Sequence, residues 1–98
     1  MSEKTKAVLT PSVWFNHDAE SYYVQIELPG VAKEDIELSV SEQSLCVKGM
    51  REDVGLLGCW YLAHAVAEDE AKAKYENGML SVIVPLKKPL KGKRIPVE

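Results

Sequence analysis

In SYYVQIEL, residues 21–28, large apolar side chains recur at every second position. Tyr22, Val24, Ile26 and Leu28 fall on one side of an extended chain, and Tyr23, Gln25 and Glu27 on the other. A period of two belongs to a strand with one buried face and does not fit one face of a helix. DIELSV repeats the pattern with Ile36, Leu38 and Val40, SLCVKG with Leu45 and Val47, and MLSVIV with Leu80, Val82 and Val84. WYLAHAV is read as a further strand carrying Trp60, Leu62, His64 and Val66 on one side. SVWFN is read as a first strand, and KAKYE as a weaker one with Ala73 and Tyr75 between lysines. Pro29-Gly30, Ser41-Glu42-Gln43 and Asn77-Gly78 are turn signals between these segments.

About seven to eight short strands separated by turns predict an all-β, immunoglobulin-like β-sandwich. One stretch competes. AVAEDEAKAKYE is rich in Ala, Glu and Lys, which favour a helix. Its flanking strands and the Asn-Gly turn that follows favour a strand for its second half. A brief helical turn is also expected near Val31–Asp35. A chain of 98 residues holds one core. The expected division is a short N-terminal arm (1–11), a sandwich domain (12–86) and a flexible C-terminal extension (87–98).

The chemistry-bearing residues are few. His17 and His64 have no metal-ligand spacing, and no glycine-rich phosphate loop is present. Cys59 and His64 are an odd number of residues apart and would fall on opposite faces of one strand, which argues against a nucleophilic dyad. Cys46 and Cys59 make no disulfide framework and are expected to be free, buried thiols. AEDEA reads as a solvated acidic run. No cofactor, metal or enzymatic activity is expected. With 12 basic and 15 acidic residues and a net charge of −3, nucleic acid is not an expected partner. No run approaches the length of a membrane span, and MSEKTKAVLTPSV has no signal-peptide core, so a cytoplasmic protein is expected.

Four stretches resemble the small heat-shock proteins with an α-crystallin domain, in their archaeal and bacterial form. In AKYENGMLSVIVP, Ala73, Gly78 and Leu80 fill the family signature of Ala, then Gly-x-Leu, with Asn77 before the glycine. VQIELPGVAKEDIELSV, residues 24–40, is similar to the family's strand, Leu-Pro-Gly-Val, Asp-Ile, strand. SLCVKG looks like the strand that follows, and Ile95-Pro96-Val97 like the family's terminal Ile-x-Ile/Val motif. The resemblance covers roughly residues 12–98.

The resemblance implies an ATP-independent holding chaperone of the stress response. It would bind partly unfolded clients, and its tail motif Ile95, Pro96 and Val97 would dock on a neighbouring subunit. The implied acceptor is a groove of Leu38, Val40, Ala73 and Tyr75. Val8, Leu9, Trp14 and Phe15 are implied as client-binding, with Trp14 and Phe15 also suited to core packing. Proline and the residue before it favour extended backbone, so the tail presents Ile95 and Val97 as two prongs on one side. The sequence departs from the family in having only residues 50–59, MREDVGLLGC, where relatives carry a strand exchanged between subunits. Leu62 also stands where relatives commonly have an arginine that supports dimers. These departures suit a second reading, a monomeric co-chaperone or adaptor of the CS-domain kind.

Overall fold

A computed structural model describes residues 7–98; the first six residues of the expected arm lie outside them. Eight strands follow in order: β1 (Ala7–Leu9), β2 (Val13–His17), β3 (Ser21–Glu27), β4 (Ile36–Ser41), β5 (Ser44–Arg51), β6 (Val54–Tyr61), β7 (Lys72–Glu76) and β8 (Met79–Pro85). Two single 3-10 turns, Lys33–Asp35 and Glu68–Glu70, are the only helical pieces among the described residues. The strands form two four-stranded sheets ordered β1-β6-β5-β4 and β2-β3-β8-β7. The chain is therefore an all-β sandwich.

The alternation sets which side of each strand is buried. Val24, Ile26 and Leu28 of β3 and its extension meet Leu80 and Val82 of β8. Leu45, Val47 and Leu56 close the same core from the opposite sheet. Partners in register share a face, so Ile26 lies opposite Leu80 and Val24 opposite Val82. A second cluster of Tyr22, Leu62, Val66, Val84 and Leu86 fills one end of the sandwich. At the Asn77-Gly78 turn both residues take positive φ, 52° and 79°. Those values are what a two-residue hairpin with the twist of its strands requires, and Asn and Gly tolerate them.

The AVAEDEAKAKYE stretch splits as expected: its acidic part makes the Glu68–Glu70 turn and its second half is β7. Residues 50–59 close a tight hairpin: β5 runs to Arg51, Glu52 and Asp53 turn, and β6 begins at Val54. Glu52 adopts φ 49°, which lets so short a turn close without glycine. WYLAHAV is not one continuous strand. β6 ends at Tyr61, and residues 62–67 cross toward the other sheet. There Leu62 and Val66 donate their N–H groups to Gln43 O (2.9 Å) and Glu42 O (2.7 Å), and Val66 bridges Leu86. Leu62 and Val66 stay buried because both project into the end cluster, so apolar spacing outlasts the strand.

The expectation of free thiols is corrected as well. Cys46 and Cys59 are joined by a disulfide. The short turn places the two residues directly opposite each other on β5 and β6. They face away from the core, since Leu45 and Val47 on either side of Cys46 point inward.

Part of the expected arm is also structured. Ala7–Leu9 pairs in parallel with Val54–Leu56, so β1 is a sheet strand with Val8 and Leu9 exposed.

Candidate assembly and client-binding surfaces

Phe15 of β2 meets Trp60 of β6 edge to face, with ring centroids 5.9 Å apart. β2 therefore lies over β6, and the free edges β4 and β7 face each other across the other side of the sandwich. The residues that point into this slot follow from register. Ala73 and Tyr75 pair with the buried Val82 and Leu80, so they occupy the inward side of β7. Leu38 and Val40 occupy the inward side of β4, opposite Val47 and Leu45. Leu38, Val40 and Tyr75 are half-buried against the core, whereas Ala73 is exposed although it faces inward. The sandwich is open at this edge, and its opening is lined by apolar side chains.

Tyr75 holds the mouth of the slot in place. Its hydroxyl lies 2.6 Å from Leu28 O and 2.7 Å from Val31 O, so its one proton is shared between two carbonyls of the loop after β3. The four expected groove residues are thus brought to one edge. The expected tail motif is not seated there. The chain leaves the domain through Leu86, Lys87 and Leu90, whose N–H groups donate to Glu20 O, Ala65 O and Ala19 O. The Lys87 ammonium pairs with the Glu42 carboxylate at the β4–β5 turn. That pairing, first through the hydrogen bond and then through charge, raises the Lys87 pKa. Beyond Leu90 every residue is exposed and outside regular structure, with Ile95 70% and Val97 95% accessible.

The expected client-binding residues separate into two environments. Val8 and Leu9 sit on β1 at 61% and 49% exposure. Phe15 faces inward and packs on Trp60, while its neighbour Trp14 projects from the outer face of the second sheet and is 51% exposed. On that outer face Trp14 borders a shallow depression of about 420 Å³ with Tyr23 and Ile83 on its floor and Lys72 and Lys74 at its rim. Sequence reading put Tyr23 on the side of its strand with Gln25 and Glu27 and assigned Ile83 no role. The pairing of Tyr23 with Ile83 across β3 and β8 makes them a patch.

Among the described residues no group of three or more His, Cys, Asp or Glu side chains is arranged to hold a metal ion. Among the described residues no helix is long and apolar enough to cross a membrane. The Trp14 depression is lined mainly by apolar surface, as is the β4–β7 edge.

Comparison with known proteins agrees with this fold. A probable 15 kDa heat shock protein of Leptospira interrogans is 29% identical over 110 residues, covering 94% of this chain and 85% of that protein. Heat shock protein 16.0 from Schizosaccharomyces pombe superposes with a TM-score of 0.74 at 21% identity, over 91% of this chain and 98% of that one. A small heat-shock protein from Xylella fastidiosa gives 0.69 at 21% identity, over 91% and 96%. The family model described as Hsp20/alpha crystallin matches residues 15–98. Proteins of this family are non-enzymatic chaperones. With that match spanning the sandwich and the tail alike, the chain belongs to the Hsp20/alpha crystallin family.

Proposed function

We propose that this protein is an ATP-independent holding chaperone. It binds partly unfolded proteins through exposed apolar surface and self-assembles by docking Ile95-Pro96-Val97 into the β4–β7 slot of a neighbouring copy. The observation that carries the reading is the mismatch between tail and slot. The prongs Ile95 and Val97 stand in solvent, and the inward-facing Ala73 is exposed on the same molecule. An extended segment laid along an open sheet edge is a recurrent mode of recognition, and it also covers an edge that would otherwise promote aggregation.

The energetics fit many weak contacts rather than one strong one. Burying an Ile and a Val gains roughly 1.5–3 kcal/mol each. Ordering the tail costs about 1–2 kcal/mol for each residue fixed. The two terms nearly cancel, so a single docking is weak, about millimolar at best. Several dockings within one assembly hold through effective concentration while single contacts still open. Opening exposes slot and prongs to clients, alongside Val8, Leu9 and Trp14.

The test has two arms. Light scattering after size exclusion compares the full chain with an Ile95→Ala/Val97→Ala variant, and aggregation of a heat-unfolding client is followed without nucleotide. An assembly that shrinks on substitution, with client aggregation suppressed, supports the reading. Equal masses for both chains would sink the tail-docking part, and aggregation unaffected by excess protein would sink the holding part. One feature favours a second reading, a monomeric adaptor for a specific partner: the two-residue turn at Glu52-Asp53 leaves no segment to exchange between subunits. That reading predicts a monomer with or without the tail and no suppression of a general client.

A further inference from the structure

The disulfide lies where reagents in solution can reach it. Cys46 and Cys59 are direct cross-strand partners with Cα atoms 4.1 Å apart, the close spacing of a pair that does not exchange backbone hydrogen bonds. They project from the outer face of the sheet, with Cys59 exposed and Cys46 half-buried. Register places Ser39 beside Cys46 and, one step along the same face, the row Glu37, Lys48 and Leu57. These residues and the two cysteines line a depression of about 240 Å³. The Lys48 ammonium is thus the nearest cation along the strand to the Cys46 sulfur, and a nearby cation favours a thiolate as it forms. β1 covers only Val54–Leu56, so the half of β6 that carries Cys59 is paired on one side, to β5.

We propose that Cys46–Cys59 is a thiol–disulfide exchange site for a small anionic cysteine-containing thiol of the glutathione class. The thiolate of the small molecule attacks Sγ of Cys59, the more exposed sulfur. A mixed disulfide forms there, the protein S–S bond breaks, and Cys46 leaves as a thiolate that takes up a proton. A second small thiol then attacks the mixed disulfide, releasing Cys59 as a thiol and leaving as the symmetrical small disulfide. Two small thiols thus supply two electrons and two protons, and the symmetrical small disulfide reverses the sequence. The Lys48 ammonium draws the carboxylates of the incoming thiol to this face. Reduction unpins the Leu57–Tyr61 half of β6 while the core side of the hairpin stays packed.

The experiment incubates the full chain in buffers of varied reduced-to-oxidised glutathione ratio, quenches with an alkylating agent and weighs the products. The native protein is expected to titrate from disulfide to doubly alkylated dithiol without denaturant. Amide exchange should quicken at Gly58–Tyr61 in the dithiol form and stay unchanged in β3 and β8. Mixed disulfide trapped by acid early in the reduction and located by digestion should carry glutathione severalfold more on Cys59 than on Cys46, as exposure of the target sulfur dictates. Lys48→Gln should slow exchange with glutathione about threefold, the size of one screened surface charge, and leave exchange with neutral mercaptoethanol unchanged. A bond reduced only after denaturant is added would overturn the proposal and make the disulfide a structural staple. Glutathione found equally on the two cysteines would overturn Cys59 as the attacked sulfur. Equal slowing of both reagents by Lys48→Gln would overturn the anionic ligand class.

Discussion

The Tyr75 hydroxyl reaches across the open edge of the sandwich to Leu28 O at 2.6 Å, tying β7 to the loop that leaves β3. The residue is half-buried, so its hydroxyl cannot exchange this partner freely for water. Removing the hydroxyl while keeping the ring separates the bond from the packing. Tyr75→Phe is expected to lower stability by about 0.5–1.5 kcal/mol, the net worth of a hydrogen bond with a partly buried partner. Urea unfolding checks this, and an unchanged midpoint would mean that the ring alone holds the slot.

Which side of each strand is buried was legible in sequence, and the reason is physical. β3, β5 and β8 each have one face sealed against the core, so Val24, Ile26, Leu45, Val47, Leu80 and Val82 had to alternate with polar residues. Leu38, Val40, Ala73 and Tyr75 continue that alternation on edge strands, which gives their inward side, whereas their grouping as one groove came from the family resemblance and not from the pattern. Where alternation outlives the strand it misleads: Leu62 and Val66 keep the spacing of Trp60 but belong to a crossing segment. The disulfide was hidden for another reason. A spacing of 13 residues has no meaning until the turn is placed. Once Arg51 opposes Val54, stepping back along β5 and forward along β6 brings Cys46 to Cys59. Parallel pairing of Ala7–Leu9 with β6 is a distant contact with no local signal at all.

Gly58 is the next sensitive position. A Cβ there would come within 2.7 Å of Trp60 Cη2 and 2.8 Å of Cζ2. The indole folds back over its own strand, and the space it uses is the absent side chain. Gly58→Ala forces the ring away from Gly58 and from its edge-to-face contact with Phe15. The expected cost is about 1–3 kcal/mol, as for overpacking elsewhere. Thermal unfolding measures the loss, and tryptophan emission should shift to the red as Trp60 meets water. A variant that melts like the parent would show that the ring has a second seat.

The β2–β3 turn supplies a pH dependence. Asp18 accepts from the Glu20 and Ser21 N–H groups at 2.8 Å each, and from the Tyr23 hydroxyl at 3.0 Å. The Glu20 bond first, then that of Ser21, hold its carboxyl below the ordinary aspartate value. A group with a lowered folded pKa stabilises fully above its unfolded pKa and loses that contribution as pH falls through the folded value. Asp18→Asn keeps an acceptor but removes the charge. It should therefore melt earlier than the parent at neutral pH, with the two melting curves converging in strong acid. A gap that stays constant from neutral to strong acid would exclude the charge as its source. Tyr23 carries the opposite sign. Its hydrogen bond to Asp18 raises its pKa, so that contribution fades as pH rises through the raised value.

The disulfide also has a thermodynamic consequence that does not depend on how fast it exchanges. It closes a loop between residues 13 apart, and its main effect is to restrict the unfolded chain. Both sulfurs stand on the outer face, so replacing them leaves the packing of Leu45, Val47 and Leu56 intact. Cys46→Ala/Cys59→Ala is therefore expected to lower stability by roughly 2–3 kcal/mol, the chain-entropy estimate for a loop of this length. Because the change falls on the unfolded state, the dependence of unfolding free energy on urea should steepen as that state expands. Reductant added to the parent chain should reproduce both effects, and reductant added to the double variant should do nothing. If parent and variant unfold at the same urea concentration with the same steepness, the cross-link restricts a part of the chain that stays paired in the unfolded ensemble, and the hairpin β5–β6 is where residual structure should be sought.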